Sequence, residues 1–270
     1  MQTAYFDGVE LKYRVVGSGE PVLLIHGGFI ADTFVPLLAE PRLVGSYRLI
    51  AYHRRGYGGS SRATAPFTIR QQADDARALL RHLGIPRAHV AGHSYGGVIA
   101  IQLSLDTPGL VASLALLEPA LVASVPSGPL FLKMLDSVQA THQRGDRAGA
   151  TDAFLTEVMG PGYRPLLEKV LPPGAFELAV VDSDTCFGVE LEALQRWSFT
   201  AEDATRIQQP VLSVIGDESG PFFDEIHSLL KQWIPRLEEL AVPHANHALQ
   251  YMNPGTVADG LAGFFDDHGL

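Results

Sequence analysis

Cysteine is nearly absent. The 270-residue chain holds one, Cys186, so no disulfide can form within it and no cysteine-rich metal site is available. A lone free cysteine reads as a small buried hydrophobe rather than a nucleophile. Long apolar runs are missing too: none approaches the roughly 18 residues of a membrane span. The opening segment, MQTAYFDGVELKYRVV, has no basic stretch leading into an apolar one, so a signal peptide is not expected and the default compartment is the cytoplasm. Positive charge is scarce, with 20 Lys and Arg against 30 Asp and Glu and a net charge of −10. Nucleic acid requires a basic face, so it is not an expected partner, and neither is a membrane.

What is present is a globular composition, 46% hydrophobic and 19% charged, in a chain long enough for a large core and an insertion. Residues 9–16 (VELKYRVV) alternate as a half-buried strand near a sheet edge would. Residues 22–25 (VLLI), 47–51 (YRLIA), 87–91 (RAHVA) and 111–117 (VASLALL) read as further strands, the most apolar of them suited to burial on both faces. Helical spacing occupies 68–83, with Ile69, Ala73, Ala76, Leu79, Leu80 and Leu83 on one face, and again 95–106. The alternation lapses over 120–205, where helical patches and Pro-Gly breaks contain no strand pattern. It resumes with a strand at 211–215, a helix near 222–233, a strand near 237–241 and a helix at 254–266. Strand–helix alternation predicts an α/β fold: a mostly parallel twisted sheet flanked by helices. Residues 1–119 and 206–270 would form the core, and 120–205 an inserted helical lid.

One segment carries chemistry. Gly92-His93-Ser94-Tyr95-Gly96 matches Gly-x-Ser-x-Gly between a predicted strand and a predicted helix. The string is weak alone; its setting makes it informative. A sharp strand-to-helix turn strains the serine backbone, and side chains two residues away would collide, so glycine is required at 92 and 96. The turn lifts the Ser94 hydroxyl above the sheet and aims the Tyr95 N–H, at a helix N-terminus, toward a developing oxyanion.

With this segment, the chain resembles the α/β-hydrolase superfamily. The matching pieces are HGGF at 26–29, RGYGGS at 55–60, GHSYGG at 92–97 and PHANHALQYMNP at 243–254, in the family's order. The resemblance implies Ser94 as nucleophile and His247 as base, with His244 the competing histidine. It implies a second oxyanion-hole N–H from Gly28, with Phe29 the nearest alternative. His26 and His53 are expected to brace their loops; many relatives carry an aspartate where His53 stands.

The third member departs from the common pattern. The resemblance implies an aspartate three residues after the glycine that ends the strand at 211–215, but Gly216-Asp217-Glu218-Ser219 puts Ser219 there. A hydroxyl can orient an imidazole but cannot balance its charge. Candidate replacements are Glu118, at the tip of the preceding strand, where some haloalkane dehalogenases place their acid, and Asp217 or Glu218 on the same loop. An acid at any of these keeps the order Ser, acid, His.

The lid's larger apolar residues include Leu130, Phe131, Met134, Leu135, Phe154, Met159, Phe187, Leu194 and Trp197. Phe29, Met134 and Trp197 are the expected substrate contacts. Asp182-Ser183-Asp184 lacks the His or Cys partners of a metal site, and neither metal nor cofactor is expected. The reading that results is a serine hydrolase acting through an acyl-enzyme on a small to medium carboxylic ester, thioester or lactone with an apolar body. Two alternatives stay open: a carbon–carbon bond hydrolase, lyase or cofactor-free cyclase on the same scaffold, and a non-catalytic ligand-binding protein. The sequence leaves the oligomeric state undetermined.

Overall fold

The computed structural model describes residues 1–62 and 65–270. Eight strands form one sheet: β1 (Gln2–Phe6), β2 (Val9–Val16), β3 (Glu20–Ile25), β4 (Tyr47–Tyr52), β5 (Ala88–His93), β6 (Val111–Leu117), β7 (Val211–Gly216) and β8 (Glu238–Val242). They lie in the order β1-β2-β4-β3-β5-β6-β7-β8. The β1–β2 and β2–β4 pairs are antiparallel and the remaining pairs parallel. Every residue of β5, β6 and β7 is buried, as expected of parallel strands covered on both faces.

β1 has no counterpart in the sequence reading, which set 9–16 near the edge. Only Ala4 of its five residues is buried, so its apolar pattern is too sparse to announce a strand. The turn did carry a signal. Asp7 and Gly8 have φ of 50° and 78°, and an Asp-Gly pair with both φ positive makes the two-residue hairpin turn whose twist matches the flanking strands.

Helices cover both faces. The short α1 (Pro41–Val44) precedes β4, and α2 (Ile69–His82) is opened by a capping box between Thr68 and Gln71. α3 (Tyr95–Asp106) follows β5 and is apolar on nearly all sides, which suits a buried helix. Between β6 and β7 run α4 (Gly128–Gln143), α5 (Arg147–Met159), α6 (Tyr163–Val170), α7 (Ala175–Thr185), α8 (Leu191–Arg196) and α9 (Ala201–Thr205). A π-helical turn, Cys186–Glu190, joins α7 to α8; such turns re-aim side chains and concentrate at functional sites. The chain closes with α10 (Pro221–Trp233), α11 (Leu249–Met252) and α12 (Pro254–Asp267).

One core layer joins the sheet to α2, α3 and α10, and a second joins the opposite face to α12. A third apolar cluster ties α4–α7 to Phe29, Ile30 and Tyr251. The loops after β3, β5, β6 and β8 converge with the helices between β6 and β7 at the carboxyl edge of the sheet, where open α/β sheets place their ligands. No helix among the described residues is long and apolar enough to cross a membrane.

Candidate active site

Ser94 sits between β5 and α3 with φ 53° and ψ −120°, a region costing a non-glycine residue about 1–3 kcal/mol. Main-chain bonds hold it there. Its N–H donates to the Leu117 carbonyl at 3.0 Å, and its carbonyl accepts from Gly97 at 2.9 Å and Ala120 at 3.1 Å. A Cβ at Gly92 would strike the Gly96 carbonyl, and one at Gly96 the Ile25 and His26 carbonyls, so the two glycines are steric requirements of the turn. Tyr95 begins α3, and the first N–H of a helix has no partner within it. Gly28, Phe29, Ser94, Tyr95 and His247 all border one cavity.

His247 Nδ1 lies 2.6 Å from Glu118 Oε2, with the residues 5% and 3% exposed. The other Glu118 oxygen accepts from the Gly216 N–H at 2.8 Å and from the Ser219 hydroxyl. The serine at the position where an acid was expected thus steadies an acid from the neighbouring strand. The His247 ring stacks on Phe223 (4.2 Å between centroids, 14° between planes) and faces His93 at 4.6 Å on another side. With Nδ1 committed to Glu118, Nε2 is the free nitrogen. Ser94 and His247 share the cavity without a direct hydrogen bond between them; catalytic contacts in empty sites often tighten only when substrate binds.

The loop after β3 is braced as expected. His26 Nδ1 bonds the Gly27 carbonyl at 2.7 Å, and its Nε2 accepts the Arg54 N–H at 2.9 Å. Burial first, and then the Arg54 charge, hold its pKa well below the usual histidine value. Arg54 donates to the His26 and Gly27 carbonyls at 3.0 and 2.7 Å. The same guanidinium pairs with Glu190 of the π turn, each side chain 1% exposed, and Tyr57 donates to Glu190 at 2.5 Å. His53 reaches Asp32 at 3.2 Å and accepts from Gly59.

Several expected residues stand elsewhere. Asp217 is exposed, its carboxylate accepting from the Ala245 N–H at 3.4 Å, while the carboxylate on the His247 ring is that of Glu118. Glu218 is also exposed, and its nearest ionic neighbour, at 3.8 Å, is His244, a side chain 91% exposed. Met134 and Trp197 do not border the cavity. On α4, Phe131 and Leu135 face it instead, while Met134 packs within the cluster of inserted helices. The Trp197 indole donates to Gln102 at 2.8 Å and stacks on Phe199. Asp182 pairs with Arg62, and Asp184 with His142 and Arg147. No metal-holding group of three or more His, Cys, Asp or Glu occurs among the described residues. The Cys186 thiol borders the cavity, but burial and then Glu190 push its pKa up, against nucleophilic use.

His93, Phe223 and Glu190 border the cavity but were not anticipated. His93 sat in plain view within the serine motif. Phe223 and Glu190 lie on remote segments with no local signature.

A family model described as the alpha/beta hydrolase fold matches residues 20–254. The chain belongs to the α/β-hydrolase fold family. Among curated members, it is 40% identical over 119 residues to the dihydrolipoyllysine-residue acetyltransferase component of the acetoin cleaving system of Cupriavidus necator, covering 44% of this chain and 32% of that protein. It is 38% identical over 115 residues to a fluoroacetate dehalogenase of Burkholderia sp., covering 41% and 38%. The matched segments thus span about a third of those relatives' length. Among solved α/β-hydrolase structures, the enol-lactonase from Burkholderia xenovorans LB400 superposes with a TM-score of 0.81 at 21% identity, covering 98% of this chain and all of that one. An esterase from Thermogutta terrifontis gives 0.81 at 20%, covering 99% and 97%. Identities this low speak for the fold alone.

Proposed function

We propose that this α/β-hydrolase cleaves a small to medium carboxylic ester, thioester or lactone through an acyl-enzyme. Ser94 is the nucleophile, His247 the base whose Nε2 accepts the Ser94 proton, and Glu118 the acid that orients the ring and balances the imidazolium. The N–H groups of Gly28 and Tyr95 receive the oxyanion. Residues 120–205 act as a lid whose apolar side chains hold the substrate body. The supporting observation is the buried 2.6 Å contact between His247 and Glu118, beside a cavity that Ser94 also borders. The carbon–carbon hydrolase and cyclase reading drew on the missing acid after β7; Glu118 fills that want, and no other observation favours it.

The test is pre-steady-state hydrolysis of a p-nitrophenyl ester with fluorophosphonate labelling. A product burst and labelling at Ser94 are expected, both lost in Ser94→Ala. Turnover that survives Ser94→Ala would overturn the proposal.

A further inference from the structure

Thr33, on the loop after β3, and Tyr251, on α11, border the same cavity as Ser94 and His247. They are 2% and 3% exposed, and their hydroxyl oxygens lie 2.5 Å apart, so one donates to the other. Where the second proton goes follows from the neighbours. His93 Nε2 stands 3.0 Å from the His247 carbonyl oxygen; a ring nitrogen facing a carbonyl must carry the proton. Burial above all keeps the ring neutral, so Nδ1 is bare and accepts from Gln250 Nε2, 3.4 Å away. That contact fixes the Gln250 amide. Its nitrogen faces His93 and also donates to Thr33 Oγ1 at 2.8 Å. Its oxygen has no partner, so His93 alone sets the orientation.

Gln250 therefore gives Thr33 a proton and offers no acceptor in return. Two hydroxyl protons remain for one internal bond. The other has no protein acceptor among the described residues. Burial raises the Tyr251 pKa, so the phenol stays a donor. A buried donor left without a partner is costly, and the cavity that Thr33 and Tyr251 border is lined mainly by apolar residues, Phe29, Ile30, Leu155 and Met159 among them.

We propose that the Thr33–Tyr251 hydroxyl pair presents one hydrogen-bond donor to the cavity and selects substrates carrying a second acceptor oxygen, a keto, ether or ring oxygen beyond those of the scissile group. The term "scissile group" rests on the acyl-enzyme reading; the donor itself does not.

The experiment measures binding without turnover. 2-Hexanone and 2-methyl-1-hexene, which replaces the oxygen by a methylene, are titrated by NMR into the wild-type protein and into Thr33→Val/Tyr251→Phe. The wild type should bind the ketone more tightly, and the ketone-to-alkene ratio should fall about three- to tenfold in the double variant, the discrimination that one neutral hydrogen bond provides. Oxyanion-hole donors are common to both proteins, so they cancel in the comparison. Equal binding of the two probes by wild type, or the same ratio in both proteins, overturns the proposal. If the double variant does not fold, Tyr251→Phe replaces it. That change leaves the Gln250–Thr33 bond and frees the Thr33 proton, so the cavity keeps one donor and the ratio should stay within about twofold of wild type; loss of the discrimination overturns the proposal. Failure of the acyl-enzyme reading would appear separately, as absent ester turnover and absent labelling of Ser94.

Discussion

Replacing Glu118 with glutamine changes one atom and should disable the base. Glu118 Oε1 accepts two protons, from the Gly216 N–H and the Ser219 hydroxyl, while Oε2 faces His247 Nδ1 at 2.6 Å. In Glu118→Gln, the two donors hold the amide oxygen on their side. The amide NH2 is then left against the imidazole. An NH2 group there can only donate, so Nδ1 must become the acceptor and the ring proton moves to Nε2. The nitrogen that should take a proton from Ser94 then already carries one. The negative charge that would balance the imidazolium is lost as well. A wrong tautomer of this kind in serine hydrolases costs about 10⁴-fold in kcat, or about 5.5 kcal/mol of barrier. The assay is steady-state ester hydrolysis, with a thermal melt confirming the fold. A loss below about tenfold would refute the assignment. As a control, Ser219→Asp added to Glu118→Gln returns a carboxylate to the loop after β7 and should recover part of the rate. Ser219→Asp alone sets two carboxylates against each other and should lower it.

Two further outcomes follow from buried charges. Glu190→Gln leaves the Arg54 guanidinium, 1% exposed, without its counter-ion. Breaking such a pair costs about 3–5 kcal/mol, a fall of roughly 5–10 °C in Tm for a chain of this length; calorimetry showing no change would refute the buried pairing. His26 and His93 have folded-state pKa values well below the usual 6.5, both mainly from burial. Their neutral rings contribute stability that is fully present above that value, and it is lost as pH falls below it toward the folded-state pKa, because the unfolded chain binds protons that the native one refuses. Melting temperature should decline from pH 7 to pH 5, and a flat profile would count against both assignments.

Local rules governed what the residues announced in advance. Alternation and apolar runs located β2 to β8, and the Gly-x-Ser-x-Gly string located the strained turn at Ser94, because strand burial and a tight turn are written in neighbouring residues. β1 was passed over although Asp7-Gly8 marked its hairpin, since one buried alanine in five residues gives no period to detect. Met134 and Trp197 were chosen for size. Which face of α4 turns inward, and which partner an indole finds, depend on helix packing that size does not encode.

By itself the sequence determined the α/β alternation, the serine turn and a histidine before the last helix, all properties of short segments. It favoured Glu118 but held Asp217 and Glu218 open as the acid, because all three preserve the order along the chain. Tertiary structure brings one of them to His247: β6 and β7 are neighbours in parallel register, so Glu118, just past the end of β6, meets the Gly216 and Ser219 donors at the end of β7. A carboxylate's partner is fixed by distances between atoms from remote parts of the chain, here 129 residues apart, and only the folded sheet sets those distances.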